Sequence, residues 1–247
     1  MIQLVNMNGK NEKVFRPKRL SPEEIQKGCE YLNDGDPTET RLCVISEEFR
    51  QGLYFIKKYK KSVTFFGSAR LKPHEEAYKA AQSLAKKVVV ETGYAIVTGG
   101  GPGIMSAGAL GAYDGGGRAV GLTIHLPMEQ TTSPWLTDQA EFMHFYSRKV
   151  TLAYGSESYV FFTGGYGTMD ELFEVLTLKQ TGKIGAVPII LVGTEFWTPL
   201  YKYFEELANK YGTIDKADLD LITITDDEDE IIEIIKNAPV RSEGEEE

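Results

Sequence analysis

Charged side chains able to act on a phosphorylated ligand stand beside glycine-rich turns in this chain. Asp170 and Glu171 directly follow Thr163-Gly164-Gly165-Tyr166-Gly167-Thr168, and Glu174 lies one helical turn past Glu171. Arg148 and Lys149 begin a helical segment just before the strand that leads into this turn. A carboxylate held beside a ribose phosphate can stabilise oxocarbenium charge at C1′ and orient an attacking water. Glycosidases set carboxylates against the same kind of transition state, ordinarily as a pair. Acids on a helix's first turn also complement its dipole, which is the competing structural explanation for Asp170 and Glu171. Basic residues at a helix start oppose the dipole, so Arg148 and Lys149 are candidates for ligand binding, with a solvated surface pair as the competing explanation. The guanidinium can grip a phosphate in a fork or hydrogen-bond a departing base, and the sequence leaves both roles open.

Two further turns share the pattern, Phe66-Gly67-Ser68-Ala69-Arg70 and Thr98-Gly99-Gly100-Gly101-Pro102-Gly103-Ile104-Met105. Each runs from a candidate strand toward a candidate helix, where free N–H groups converge on an anion. The candidate ligand contacts are therefore Ser68, Gly100, Gly101, Gly103 and Met105 from the first two turns. The third supplies Gly164, Gly165, Tyr166, Gly167 and Thr168, with Asp170 beside them. Neither glycine cluster spells GxGxxG in frame, and the strand at 119–123 ends without an acid for a ribose. Thr177 stands where a Walker A motif before Gly182-Lys183 needs its first glycine. A mononucleotide or sugar phosphate is thus favoured over NAD or ATP.

The elements that must position these groups alternate regularly from Ser62 onward. Candidate strands are 63–66, 94–98, 119–123, 159–162 and 187–192, with 142–145 as a short addition before Ser147. Helical segments lie near 75–90, 103–113, 147–154, 169–179 and 196–210. Apolar strands separated by helices predict a Rossmann-like, three-layer α/β/α fold on a mainly parallel sheet. Such sheets bind ligands beyond the carboxyl ends of their strands, where the glycines fall. Residues 1–60 read as an N-terminal helical extension. Ser21-Pro22 opens one helix, and a second runs from about Thr38 to Lys60 with Ile45, Phe49, Leu53 and Ile56 on one face. Residues 61–238 form the catalytic domain and 239–247 an acidic tail.

Composition narrows the function classes. Ten acids against Lys236 and Arg241 place eight of the nine net negative charges after Thr225, so the rest is near neutral and carries no nucleic-acid footprint. No apolar run reaches the roughly 20 residues of a membrane span, and residues 1–13 lack an apolar signal core, so a cytoplasmic protein is expected. Cys29 and Cys43 form no metal pattern and are expected as reduced thiols. His74, His125 and His144 stand apart, so no metal site is expected.

The three turns occur in order with Ser147-Arg148-Lys149 and with Met169-Asp170-Glu171 after the third. In that combination the chain resembles the Lonely Guy family, cytokinin riboside monophosphate phosphoribohydrolases and their bacterial relatives. Leu126-Pro127-Met128-Glu129-Gln130 and Leu176-Thr177-Leu178-Lys179-Gln180-Thr181-Gly182-Lys183 are similar to its longer bacterial branch. The resemblance covers about Val63–Gly193, with weaker similarity at Glu48-Phe49. It implies metal-free and cofactor-free hydrolysis of the N-glycosidic bond in AMP-like or cytokinin monophosphates by a homodimer or larger homo-oligomer. By motif position Glu171 and Arg148 match the catalytic pair, and Gly164–Thr168 match the phosphate loop. Glu129, Lys149 and Thr177 match further ligand contacts. Many relatives are labelled lysine decarboxylase, yet no lysine here stands in an obvious Schiff-base context for pyridoxal phosphate. Three departures mark this chain: Thr163 where proline is usual, Ser106-Ala107-Gly108-Ala109 where Glu-Ala-Ala-Asn is usual, and Ser133 where asparagine is common. They support an alternative, a nucleotide-binding or sensing protein that has lost turnover.

Overall fold

The computed structural model describes residues 20–125 and 131–240. The chain runs through α1 (Pro22–Leu32), α2 (Pro37–Ile56), β1 (Ser62–Phe66), α3 (Glu76–Thr92), β2 (Ala95–Thr98) and α4 (Ile104–Asp114). It continues through β3 (Ala119–Ile124), β4 (Asp138–Phe142), α5 (Phe145–Tyr154), β5 (Ser158–Phe161) and α6 (Tyr166–Gln180). The last elements are β6 (Ile189–Leu191), α7 (Thr194–Glu206), β7 (Thr223–Ile224) and α8 (Glu228–Lys236).

The seven strands form one sheet in the order β4-β3-β2-β1-β5-β6-β7, every pairing parallel. From β1 the chain winds outward to β4, then crosses back to β5 and winds the other way. The strand order therefore switches between β1 and β5, and a crevice opens there beyond the strand ends. β1, β2, β3 and β5 are buried at every position, as strands covered on both faces must be. One face packs on Phe55, Leu152, Leu172, Val175 and Trp197 from α2, α5, α6 and α7. The other packs on Leu84, Val88, Ile104, Ala107 and Ile231 from α3, α4 and α8. The three-layer α/β/α prediction agrees with this architecture.

Several local expectations need correction. The buried stripe of α2 is Val44, Glu48, Gly52, Phe55 and Ile56, with Ile45, Phe49 and Leu53 only half-buried. The helix is turned by about one residue, because a glycine and a fully buried glutamate occupy its inner face. The short strand expected at 142–145 lies at Asp138–Phe142, an edge strand that buries Ala140 and Phe142 and exposes Gln139 and Glu141. Its two inward apolar residues left little pattern to read. Cys29 and Cys43, expected as thiols, are joined as a disulfide with their Cα atoms 5.7 Å apart. Packing of Ile25 on Val44 brings α1 and α2 into bridging range. No helix among the described residues is long and apolar enough to cross a membrane. Residues 241–247 of the tail expected from 239, and the candidate contact Glu129, lie outside the described residues.

Candidate active site

The three glycine turns meet at the β1/β5 switch. The Ser68 N–H donates to the Thr163 carbonyl at 3.0 Å, and the Ile104 N–H donates to the Ser68 carbonyl at 3.0 Å. The first turn is thus clamped between the other two. Gly103 makes this approach feasible: its φ is +68°, and a Cβ there would stand 2.1 Å from the Ser68 carbonyl oxygen. Gly100 and Gly101 of the second turn are buried, and the Gly100 carbonyl accepts from the Ser133 N–H at 2.9 Å.

A cleft of about 870 Å³ opens above the turns. Of the residues predicted from sequence, it brings together Ser68, Met105, Arg148, Gly164, Gly165, Tyr166, Gly167, Thr168 and Glu171. Gly100, Gly101, Gly103, Lys149, Asp170 and Thr177 do not line it. Thr177 is exposed farther along α6, where its hydroxyl donates to the Phe173 carbonyl at 2.7 Å. There it borders a separate cavity of about 140 Å³. Gly99, Arg70 and Leu71 line the cleft without having been singled out. Arg70 carried a signal, since it closes the first turn.

α6 begins at Tyr166 with Gly165 as N-cap and no side-chain cap, so its first N–H groups face the cleft mouth. Thr168 is buried, and its hydroxyl fills the space beside Gly164 where a Cβ would come to 2.2 Å. Uncapped amides with the positive helix end make an anion site. Because the helix starts at Tyr166 and not Met169, Asp170 and Glu171 are its fifth and sixth residues. Dipole compensation fades after the first turn, so it accounts poorly for either acid.

Glu171 lines the cleft wall, and burial raises its carboxyl from the ordinary 4.5 to about 7. The Arg148 guanidinium pulls the other way, Asp170 adds to the rise, Lys149 opposes it and Glu174 adds again. Arg148 is buried to 8% exposure, and desolvation lowers its own pKa while Glu171 raises it. Its Nε donates to the Leu122 carbonyl at 2.6 Å and Nη2 to the Gly99 carbonyl at 3.5 Å. Two backbone carbonyls thereby aim the guanidinium, and its remaining N–H donors are left for the cleft. Gly99 is needed for that fit, because a Cβ would stand 2.1 Å from Nη2. Lys149 serves a different pair, with Nζ 2.8 Å from Asp170 Oδ2 and 3.3 Å from Glu174 Oε2. Burial opposes its charge, but these two carboxylates raise its pKa overall.

Two of the three departures from the family pattern, Ser106–Ala109 and Ser133, have a local account. Ser106 and Ser133 touch each other, their hydroxyls 3.1 Å apart. Ala107, Gly108 and Ala109 are buried, and a Cβ on Gly108 would press to 3.3 Å from the Phe65 ring. Small residues here let α4 lie close on β1 and β2.

A family model described as "Possible lysine decarboxylase" matches residues 105–235, more than half of the chain. The chain belongs to this family, the Lonely Guy family. A probable cytokinin riboside 5′-monophosphate phosphoribohydrolase of Arabidopsis thaliana is 29% identical over 159 residues, 64% of this chain and 78% of that protein. The cytokinin riboside 5′-monophosphate phosphoribohydrolase of Oryza sativa subsp. japonica is 29% identical over 152 residues, 60% of this chain. The chain spans 61% of that rice protein's length. The enzyme of the same name from Rhodococcoides fascians is 28% identical over 153 residues, 60% of this chain and 76% of its own. Among solved structures, the molybdenum cofactor binding protein of Rippkaea orientalis aligns with a TM-score of 0.54 at 20% identity, covering 72% of this chain and 96% of that one. The molybdenum cofactor carrier protein of Chlamydomonas reinhardtii aligns at 0.54 and 22%, covering 72% and 98%. At such identities these two neighbours show the fold of this chain alone, and nothing about the ligand.

Proposed function

We propose that this Lonely Guy protein hydrolyses the N-glycosidic bond of nucleoside 5′-monophosphates, releasing the free base and ribose 5-phosphate. The observation that carries the reading is the half-buried Glu171 carboxyl on the cleft wall, raised to about 7, on the same helix whose uncapped start suits a phosphate. The names of the cytokinin riboside monophosphate phosphoribohydrolases among its relatives support it. With the 5′-phosphate on the amides of Gly164–Thr168, C1′ lies toward Glu171 and Arg148. The ionised carboxylate stabilises the oxocarbenium-like centre and takes the proton of the attacking water. The water oxygen bonds to C1′ as the C1′–N bond breaks. That bond's electron pair leaves with the base, whose nitrogen then takes up a proton. Arg148 steadies either the phosphate or the departing base.

The substrates we assign are cytokinin and AMP-like monophosphates, with Ser68, Met105 and Tyr166 as further contacts. Exposed Phe145 and Phe173 on α5 and α6 favour assembly as a homodimer or larger oligomer. The second reading, a nucleotide-binding protein without turnover, draws on the altered Ser106–Ala109 stretch. A panel of nucleoside monophosphates decides between them. Base released from one or more is the expected result. AMP bound by calorimetry with no base released from any would establish the second reading.

A further inference from the structure

Glu48 is the one fully buried carboxylate on α2, at 2% exposure, and it lies far from the cleft in sequence. A buried carboxylate is costly unless several donors satisfy it. Glu48 finds three, all in the segment that opens α5. Its Oε1 accepts from the Met143 N–H, and its Oε2 lies 2.8 Å from His144 Nδ1 and 2.7 Å from the Ser147 hydroxyl. His144 is the N-cap residue of α5 and caps nothing with its own side chain. The carboxylate of another helix thus gathers one backbone N–H and two side-chain partners around the start of α5, at the end that the dipole makes positive.

One turn farther along, α2 presses on the same helix. A Cβ on Gly52 would stand 2.7 Å from the Thr151 hydroxyl and 2.8 Å from the Phe142 ring. Ser147 and Thr151, four residues apart, are therefore the face of α5 that α2 grips. Arg148 follows Ser147 by one residue, about 100° around the helix, and points into the cleft. Fixing Ser147 fixes the rotation of α5 and so the direction of the guanidinium.

We infer that Glu48 is a positioning residue for Arg148, acting from α2 through Ser147, His144 and Met143. α2 then belongs to the catalytic architecture as well as to the core. This rests on the phosphoribohydrolase reading for its activity readout alone.

The test is a double-mutant cycle with Glu48→Gln, Arg148→Ala and both together, each checked for folding by circular dichroism and thermal melting. A misaimed group costs on the order of 10- to 100-fold in rate. The expected result is such a loss of kcat in Glu48→Gln, with KM changed by less than about threefold. Adding Glu48→Gln to Arg148→Ala then costs nothing further. A full additional loss in the double variant, or wild-type kcat in the single one, overturns the inference. Should Glu48→Gln fail to fold, Ser147→Ala removes one donor without stranding a buried charge, and its smaller loss must likewise vanish beside Arg148→Ala. If wild type turns over no monophosphate, the phosphoribohydrolase reading fails. The same cycle is then read in AMP affinity, where coupling sustains the positioning role and additivity overturns it.

Discussion

Replacing Glu171 by glutamine should make the protein more stable at alkaline pH while destroying its activity. Glu171 titrates near 7 in the folded chain and near its ordinary 4.5 unfolded. Between those values the folded protein holds the proton more tightly, so stability is greatest below about pH 4.5 and is lost as pH rises toward 7. At 1.36 kcal/mol per unit, the ionised carboxylate costs the fold about 3 kcal/mol at pH 8 and less than about 1 kcal/mol at pH 4.5. Glutamine has the same shape and does not titrate. Urea unfolding of wild type and Glu171→Gln across pH 4.5 to 8 measures the difference. The gap should open in favour of the variant as pH rises and level off above 7. A gap that stays constant with pH, or a variant less stable at pH 8, would refute the claim that burial strains this carboxylate. Destabilised groups of this kind are what active sites maintain at the expense of the fold.

Other outcomes follow from the same geometry. Gly99→Ala has no positive φ to strain, so it should fold normally yet lose on the order of 10- to 100-fold in kcat by displacing the guanidinium. Gly103→Ala meets backbone at φ +68° and should instead lower stability by about 1–3 kcal/mol, seen in denaturant melts. Lys149→Ala removes a cation that lowers the Glu171 pKa, so the acid limb of the pH–rate profile should move to higher pH. Reducing the Cys29–Cys43 bond, which spans 14 residues, should cost about 3 kcal/mol, read as a lower melting midpoint with two thiols newly titratable.

Much of this was legible in the sequence, and the rest was hidden for identifiable reasons. β1, β2, β3 and β5 announce themselves because strands buried on both faces are continuous apolar runs. β4 exposes one face at the sheet edge and β7 has two residues, so neither leaves such a run. The turn after β5 and its acids were readable as a cluster, but their distance from the helix start depended on a helix beginning at Tyr166. Gly99 and the Leu122 carbonyl hold Arg148 through close approach and backbone, which carry no side-chain signature. Glu48 broke the amphipathic pattern of α2, and its partners lie about a hundred residues away. The disulfide follows from how α1 packs on α2, which cysteine spacing alone does not encode.

The central claim is that Glu171 performs the chemistry on a nucleoside monophosphate held at the start of α6. Its most direct test is ribose 5-phosphate release by wild type and Glu171→Ala, side by side, with AMP and a cytokinin riboside monophosphate. The account predicts turnover by wild type, a loss of at least roughly 100-fold in the variant, and AMP affinity largely retained. Equal turnover by the two proteins would contradict it.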